Sequence, residues 1–223
     1  MVKAARLSAS PWKRARWLVL SPHPDDETLG AGALIADVAR DRRLAGIVYL
    51  TDGTGSHPPG TPGLASARRR EAGHALRRLS GRAMRIDWLD WRDAHPHAED
   101  APDFRRDALR LAAWCRDRRV DAIAVTDERE PHCDHAAAYR LARAAGRLAR
   151  RRIALFAYHV WGSPGLDGDR QLRTEAIPPG RRRHALRAHR SQLSPLFGDG
   201  FRLDGARERM STTDCLTLRR PVA

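Results

Sequence analysis

The sequence predicts an α/β fold: a single-domain, Rossmann-like sheet, mostly parallel, with helices on both faces. Three observations carry that expectation. Short runs rich in apolar and β-branched residues recur along residues 16–160. Longer segments with apolar residues at helical spacing lie between them. The connecting stretches are short, polar and rich in Gly and Pro, which favours right-handed crossovers between parallel neighbours.

Taken in order, RWLVL (16–20) reads as a buried strand. Thr28 to Arg43 follows as a helix, with Leu29, Ala33, Ala36 and Ala39 on successive turns. AGIVYLT (45–51) is the second strand, and DGTGSHPPGTPG the loop that leaves it. Ala65 to Leu79 is an arginine-rich helix stopped at Ser80-Gly81. AMRIDWL (83–89) is a strand, Asp103 to Arg118 a helix and VDAIAVT (120–126) the fourth strand. Asp134 to Arg152 is a helix and IALFAYHV (153–160) the fifth strand. Beyond residue 160 the pattern weakens. Gln171 to Ile177 reads as a strand, Arg181 to Gln192 as a helix after Pro178-Pro179-Gly180, and CLTLRR (215–220) as a closing strand. No linker divides the chain and no segment repeats, so residues 1–223 read as one domain, with 1–15 as a frayed basic start.

The 223 residues, 42% of them apolar, suffice for one core. The formal net charge is +14, and all but Lys3 and Lys13 of the 41 basic residues are arginine. That skew, beside so much alanine, reflects coding bias as well as chemistry. A nucleic-acid-binding protein would instead show arginines on one face interleaved with aromatics, and no recognition motif of that kind is present. Cys115, Cys133 and Cys215 form no CxxC pair and suit a reducing compartment. No apolar run approaches the roughly 20 residues of a membrane span, and the N-terminal apolar run falls short of the about 7–15 residues of a secretory segment. A cytoplasmic chain is expected. Nothing in the sequence specifies an oligomeric state.

In an open parallel sheet, ligands gather outside the carboxyl ends of the strands. SPHPDDE, LTDGTGSHP, TDEREPHCDH and YHVWGSP all fall there. His23 and Asp26 in the first loop and His135 in the third supply two imidazoles and a carboxylate, a facial set suited to zinc; Fe(II) or another divalent ion takes the same donors. Asp25, beside Asp26, is placed to be the general base. His132, one turn before His135, is placed to donate a proton, with Asp134 accepting from its other ring nitrogen. One acid alone would merely favour a helix N-terminus by about 0.3–1 kcal/mol; HxxD at one strand end together with HxxH at another points to metal. Cys133 reads as a spacer. Asp52 is expected to contact substrate hydroxyls and Trp161 to stack on a ring. His57, His95 and His97 are expected in solvated loops. The arginine runs 147–152 and 181–187 read as solvated faces that would attract a phosphate group. A nonheme Fe(II) oxygenase shares the ligand types but usually sets them as HxD…H on a β-sandwich. There is no P-loop, GxSxG or GxGxxG.

These motifs resemble a known family. PHPDDE (22–27) resembles the signature of the PIG-L/LmbE-like deacetylases, the N-acetylglucosaminyl deacetylase family, and HCDH (132–135) its second motif, HxDH. RRREAGHALRRLSG (68–81) is similar to the family's R-x-x-E helix, and RRRHALRAHRSQ (181–192) to its C-terminal H-x-S-Q helix. The resemblance covers residues 17–192. It implies zinc on His23, Asp26 and His135, Asp25 as general base, and His132 as general acid or electrostatic stabiliser oriented by Asp134. It also implies Arg68 near a hydroxyl or phosphate of the substrate. The implied reaction is hydrolysis of an N-acetyl group from an amino-sugar conjugate, a small molecule. Two departures stand out: Cys133 replaces the proline common in the second motif, and Glu130 stands where some members place a tyrosine near the reacting carbonyl.

Overall fold

Residues 4–162, 170–203 and 210–219 are described by the structure, a computed structural model. The apolar runs form the strands β1 (Ala5–Arg6), β2 (Trp17–Ser21), β3 (Leu44–Thr51), β4 (Ile86–Trp91), β5 (Ala122–Thr126), β6 (Ala154–Tyr158), β7 (Gln171–Arg173) and β8 (Cys215–Arg219). They join in one sheet of order β1-β7-β8-β6-β5-β2-β3-β4. Every pairing is parallel except those of β8, which runs antiparallel to both β6 and β7. The fold is therefore α/β with a mostly parallel sheet, as the alternation predicts.

Helices α1 (Asp26–Arg40), α2 (Leu64–Ser80) and α5 (Arg181–Leu186) cover one face, and α3 (Pro102–Asp117) and α4 (Cys133–Leu148) the other. Alternate residues of each strand feed the two sides. Trp17, Val19, Ile47, Tyr49 and Phe156 pack under Leu34, Ile35 and Val38 of α1 and Leu76 and Leu79 of α2. Leu18, Leu20, Val48, Ile123 and Val125 pack under Leu111 and Cys115 of α3 and Leu141 of α4. Central strand β2 is buried at all five positions, which explains its unbroken apolar run. Among the described residues no helix is long and apolar enough to cross a membrane.

The structure departs from the sequence expectations at several ends. Residues 4–14 are not a frayed start. Ala5 and Arg6 pair with Leu172 and Arg173, Leu7 is 1% exposed, and Trp12 packs edge-on against Phe156 at 5.4 Å. Residues 1–3, like Arg220 of the expected last strand, lie outside the described residues. β4 begins later than expected and continues to Trp91, which pairs with Thr51 across a register shift. The expected helix over 181–192 is two helices, α5 and α6 (Arg190–Leu193), broken at His189 with φ −78° and ψ 62°. The break turns Ser191 and Gln192 inward, where they bond Glu71 and the Pro24 carbonyl.

Helix α1 is kinked at Ala31 (φ −130°, ψ 15°), and a polar side-chain pair accounts for it. Arg182 donates to the Thr28 and Leu29 carbonyls at 3.0 and 2.8 Å, while the Asp214 carboxylate accepts from the Leu34 N–H at 2.8 Å. These groups would otherwise belong to the helical ladder, and insertion of side chains into the ladder is a recognised cause of a sharp bend. Arg182 and Asp214 also pair with each other in the interior. Just before the kink, α1 presses on β6 so closely that a Cβ on Gly30 would sit 2.3 Å from Tyr158 Cδ2 and 2.8 Å from the His159 carbonyl oxygen. Gly30→Ala is expected to destabilise the fold by about 1–3 kcal/mol through overpacking, read as a lowered denaturation midpoint; an unchanged midpoint would show that the helix can lift without cost.

Candidate active site

The turn between β2 and α1 carries the first motif, and hydrogen bonds from three directions shape it. Ser21 Oγ donates to the His23 carbonyl at 2.8 Å, the Thr51 N–H of β3 donates to the Pro22 carbonyl at 3.0 Å, and Gln192 Nε2 reaches the Pro24 carbonyl. Asp25 has φ 137° and ψ −30°, a conformation that costs a non-glycine residue about 1–3 kcal/mol. Its N–H donates to Glu27 Oε2 at 2.9 Å, and its carbonyl accepts from the Thr28 and Leu29 N–H groups, both at 2.9 Å. The strained residue is thus tied down on both sides.

The turn meets the start of α4 in one buried crevice. Asp26 Oδ2 lies 3.1 Å from His23 Nδ1 and 3.2 Å from His135 Nε2. His23 Nε2 lies 3.0 Å from both Asp93 Oδ1 and Asp134 Oδ2. One ring nitrogen from each of His23, His132 and His135 falls within 4.8 Å of the others. The His135 side chain is buried, and neither of its ring nitrogens makes a hydrogen bond of good geometry. Burial would lower the His23 imidazole, but Asp134, Asp26 and Asp93 outweigh it and raise it well above its usual value. His135 is raised to about 9, burial being outweighed by the Asp26 charge and by the Asp26 and Glu130 carboxylates near its two ring nitrogens. The same imidazoles hold the buried Asp26 carboxyl far below its ordinary range. A crevice that draws positive charge onto its histidines, and leaves His135 without a good partner, is suited to a cation ligated by neutral imidazole and carboxylate.

The GlcNAc-PI de-N-acetylase (PIG-L) family model matches residues 18–146, more than half of the chain and both halves of this crevice. The chain belongs to this family. No curated protein matches the sequence significantly. Among solved structures, the chain is similar to N,N'-diacetylchitobiose deacetylase from Pyrococcus horikoshii over 95% of its own length and 86% of that chain, at 20% identity and a TM-score of 0.67. It is similar to the conserved protein TT1542 from Thermus thermophilus over 80% of each chain, at 28% identity and a TM-score of 0.60. It is also similar to GalB, the 4-carboxy-2-hydroxymuconate hydratase from Pseudomonas putida KT2440, over 92% of this chain and 96% of that one, at 14% identity and a TM-score of 0.59. A deacetylase and a hydratase on one fold show that side chains, not topology, select the chemistry.

Within this PIG-L crevice, Asp25 is buried and its carboxyl is raised to about 7, by burial first and then by the Asp26 charge, against the opposing pull of His189. His132 is half-exposed and lowered from its usual value by burial and the nearby His23. Its Nδ1 accepts from the Asp134 N–H at 3.3 Å, capping α4. The sequence expects the Asp134 carboxylate to bond His132, but it lies 3.8 Å from that Nδ1. It serves His23 Nε2 instead, at 3.0 Å, and accepts from the Ala94 N–H at 2.8 Å. The side chain of Asp134, in the first turn of α4, leans back over the helix start toward the β4 loop.

Arg68 is buried, and its Nη2 donates to Ser56 Oγ at 2.8 Å. Burial lowers it, against the pull of Asp25 and Asp93. Gly53 makes room for it: with φ 72°, a Cβ there would lie 2.3 Å from Arg68 Nη1. Asp52 is half-buried and accepts from the Thr54 N–H at 2.9 Å, so it folds its own loop. Trp161 is 46% exposed, near Phe201 with 6.4 Å between ring centroids. His57, expected in solvent, is buried against Ser56 Oγ at 2.7 Å, because the 3₁₀ turn at Thr54–Ser56 tucks it under Gly200. His95 is exposed, as expected.

Two acids of the crevice have roles that the sequence reading does not assign. Asp93 stands two residues after β4, and the signal for it was a fifth polar loop, concealed by ending that strand at Leu89. Glu130 carries no periodic signal. Its carboxylate is fully buried and accepts from the Val160, Trp161 and Gly162 N–H groups at 3.2, 2.9 and 2.8 Å. Glu130 Oε2 also lies 3.4 Å from His135 Nδ1. These donors outweigh burial and hold it well below the usual carboxyl range.

Asp127 anchors the same loop. It accepts from the Arg129 N–H at 2.9 Å and pairs with Arg219. Burial would raise its carboxyl, but the Arg129 and Arg219 donors lower it from 3.8 to about 2. A depressed acid stabilises the fold above its unfolded value, and that contribution fades as pH falls through the folded one. Asp127→Asn is therefore expected to lose about 1.5–3 kcal/mol near neutral pH, with the deficit shrinking as pH falls from 3.8 toward 2. Denaturant midpoints across that range would check it; a deficit independent of pH would sever the link to ionisation.

Proposed function

We propose that the chain is a metal-dependent hydrolase that removes the N-acetyl, or a related N-acyl, group from an amino-sugar conjugate. The observation that carries this reading is the meeting of His23, Asp26 and His135 with Asp25 and His132 in one crevice, where Asp26 Oδ2 lies 3.1 and 3.2 Å from the two histidines. Family membership supports it. His23, Asp26 and His135 would hold the ion, with zinc as the first choice for two imidazoles and a carboxylate. When bound, such an ion lowers the pKa of water from about 15.7 to about 7 and polarises a carbonyl.

The chain's own residues do the proton work. Asp25, held near neutrality, takes the proton of the attacking water on a carboxylate oxygen. With His132 Nδ1 accepting from the Asp134 N–H, its Nε2 carries the hydrogen and would donate a hydrogen bond to the developing oxyanion, while the proton held by Asp25 passes to the leaving amine. Asp134 and Asp93 orient His23 through its Nε2. Glu130 holds His135 from behind, in the manner of a carboxylate that fixes a ligating imidazole. Arg68 and Asp52 line the loop facing the crevice and would bind hydroxyls or a phosphate of the sugar conjugate. Trp161 would cover the sugar ring.

Three histidines and Asp26 compete for the ligand role, and metal content separates them. The purified wild type is expected to hold about one zinc per chain, His135→Ala very little, and His132→Ala nearly as much as wild type while losing acetate release. Elemental analysis of the three proteins would check this, and retention by His135→Ala would refute the ligand set. Asp25→Asn keeps the turn and the ligands, so it is expected to retain metal and lose turnover by about 10²–10⁴-fold. Acetate release from N-acetylated amino-sugar conjugates would show it, and wild-type turnover would remove Asp25 as base.

A further inference from the structure

A second concavity opens at the opposite edge of the sheet, at the N-terminal ends of β5 and β6. Its volume is about 810 Å³, within the roughly 300–1,000 Å³ of small-molecule sites. Tyr139, Ala142, Arg143 and Gly146 make one wall, a single face of α4 at the spacing i, i+3, i+4, i+7. The Trp12–Ala15 segment makes the other. The floor is the half-buried run Ile153, Ala154 and Leu155, at the start of β6. The crevice described above lies beyond the other ends of the same strands, and the groove residue nearest to it in the chain, Tyr139, stands one turn of α4 after His135.

The lip of this groove is cationic. Arg14, Arg143, Arg147, Arg151, Arg152 and Arg219 line it, and among the described residues Asp121 is its one acidic lining residue. That acid is already engaged, by Arg151 Nη2 at 2.8 Å and by the Arg16 N–H at 3.0 Å. Arg143 reaches Glu99 at 3.5 Å, while Arg14 and Arg152 are exposed. An apolar floor offers nothing to read a sugar or a base by hydrogen bonding. Guanidinium groups match the two oxygens of a phosphate or carboxylate. A flat bilayer surface cannot follow a recess between a helix and a strand end.

We propose that this groove binds one amphipathic anion, an alkyl or acyl chain with a phosphate or carboxylate head. The chain lies along Ile153, Leu155 and Trp12, and the head sits among Arg14, Arg143 and Arg152. Occupancy is expected not to compete with a substrate at the catalytic edge, because Arg14 and Arg152 precede β2 and β6, at the strand ends away from that edge.

The test is isothermal titration calorimetry of the full chain with dodecyl phosphate below its micellar concentration. Inorganic phosphate, dodecyl maltoside and vesicles of phosphatidylglycerol serve as comparison ligands. One saturable site is expected for dodecyl phosphate, at least about tenfold tighter than for inorganic phosphate or dodecyl maltoside. A Cβ on Gly146 meets no atom within 4 Å, so Gly146→Trp can fill the groove from the helix surface. It is expected to weaken dodecyl phosphate by about tenfold or more, while Gly146→Ala binds like wild type. The double variant Arg143→Ala/Arg152→Ala keeps the floor and is expected to lose the preference over dodecyl maltoside. Circular dichroism and acetate release should match wild type in all three. Undiminished binding by Gly146→Trp, or equal affinity for dodecyl maltoside, would overturn the proposal. Binding to vesicles without binding to the monomeric amphiphile would overturn it in favour of a membrane-facing surface.

Discussion

The constraint on which this structure turns is the crowding of buried carboxylates and imidazoles at the end of a parallel sheet. Asp25, Asp26, Glu27, Glu130 and Asp134 are all nearly sealed from solvent, as are His135 and His189. Each charge taken out of water costs several kcal/mol unless others meet it. The crevice meets them mutually: Asp26 between His23 and His135, Asp134 on His23, Glu130 on His135, and Glu27 facing His189 at 3.6 Å. Removing one member leaves its neighbours buried with one counter-charge fewer. The same mutual dependence separates two carboxyls only one residue apart. Asp26, flanked by imidazoles, is held ionised, while its neighbour Asp25 is pushed up to about 7 by burial and then by that fixed charge. A pair of acids with divergent affinities for a proton is a common basis for dividing ligand and base roles.

The fold delivers this arrangement with simple parts. Parallel strands β2 and β5 end side by side, and α1 and α4 begin directly off the turns that follow, so two helix N-termini face the crevice. Their partial positive charge favours the acids in those first turns, by about 0.3–1 kcal/mol each at exposed sites. The C-terminal third then braces the result from outside. Arg182 and Asp214 bend α1, Gln192 holds Pro24, and Ser191 holds Glu71. None of these braces touches the proposed ligands, yet together they set where the HPDDE turn sits.

Glu130 shows how one chain of a family reshapes its own site. Where the motif's resemblance leads to the expectation of a tyrosine, this chain has a carboxylate that accepts three backbone N–H groups from the loop after β6 and lies behind His135. In this chain the residue at that position orders the crevice wall. Trp161, whose N–H is one of the three, is thereby positioned by an acid two elements earlier in the chain. The fold itself is shared with a deacetylase and with a hydratase, so such local exchanges, rather than the sheet, are what distinguish one activity from another.

The sequence by itself determined the architecture and the centre of the crevice. Period-two and period-3.6 patterns are local, and strand-end loops in a parallel sheet must share an edge, so His23, Asp25, Asp26, His132, Asp134 and His135 were legible as a group. What only the tertiary structure decided depends on partners far apart in the chain. Ala5 and Leu7 are ordered because β7, from the far end of the chain, pairs with β1. Asp93 joins His23 because β4 runs to Trp91 and turns beside β3. Asp134 prefers His23 over His132 because the helix start tilts its side chain across the crevice. The expected helix over 181–192 breaks because burying Ser191 against Glu71 and Gln192 against Pro24 outweighs one more turn of helix. Local propensity differs by at most about 1 kcal/mol per residue for ordinary residues and glycine, and a buried hydrogen bond to a charged group is worth about 1.5–3 kcal/mol. Where the two disagreed, the long-range contact prevailed.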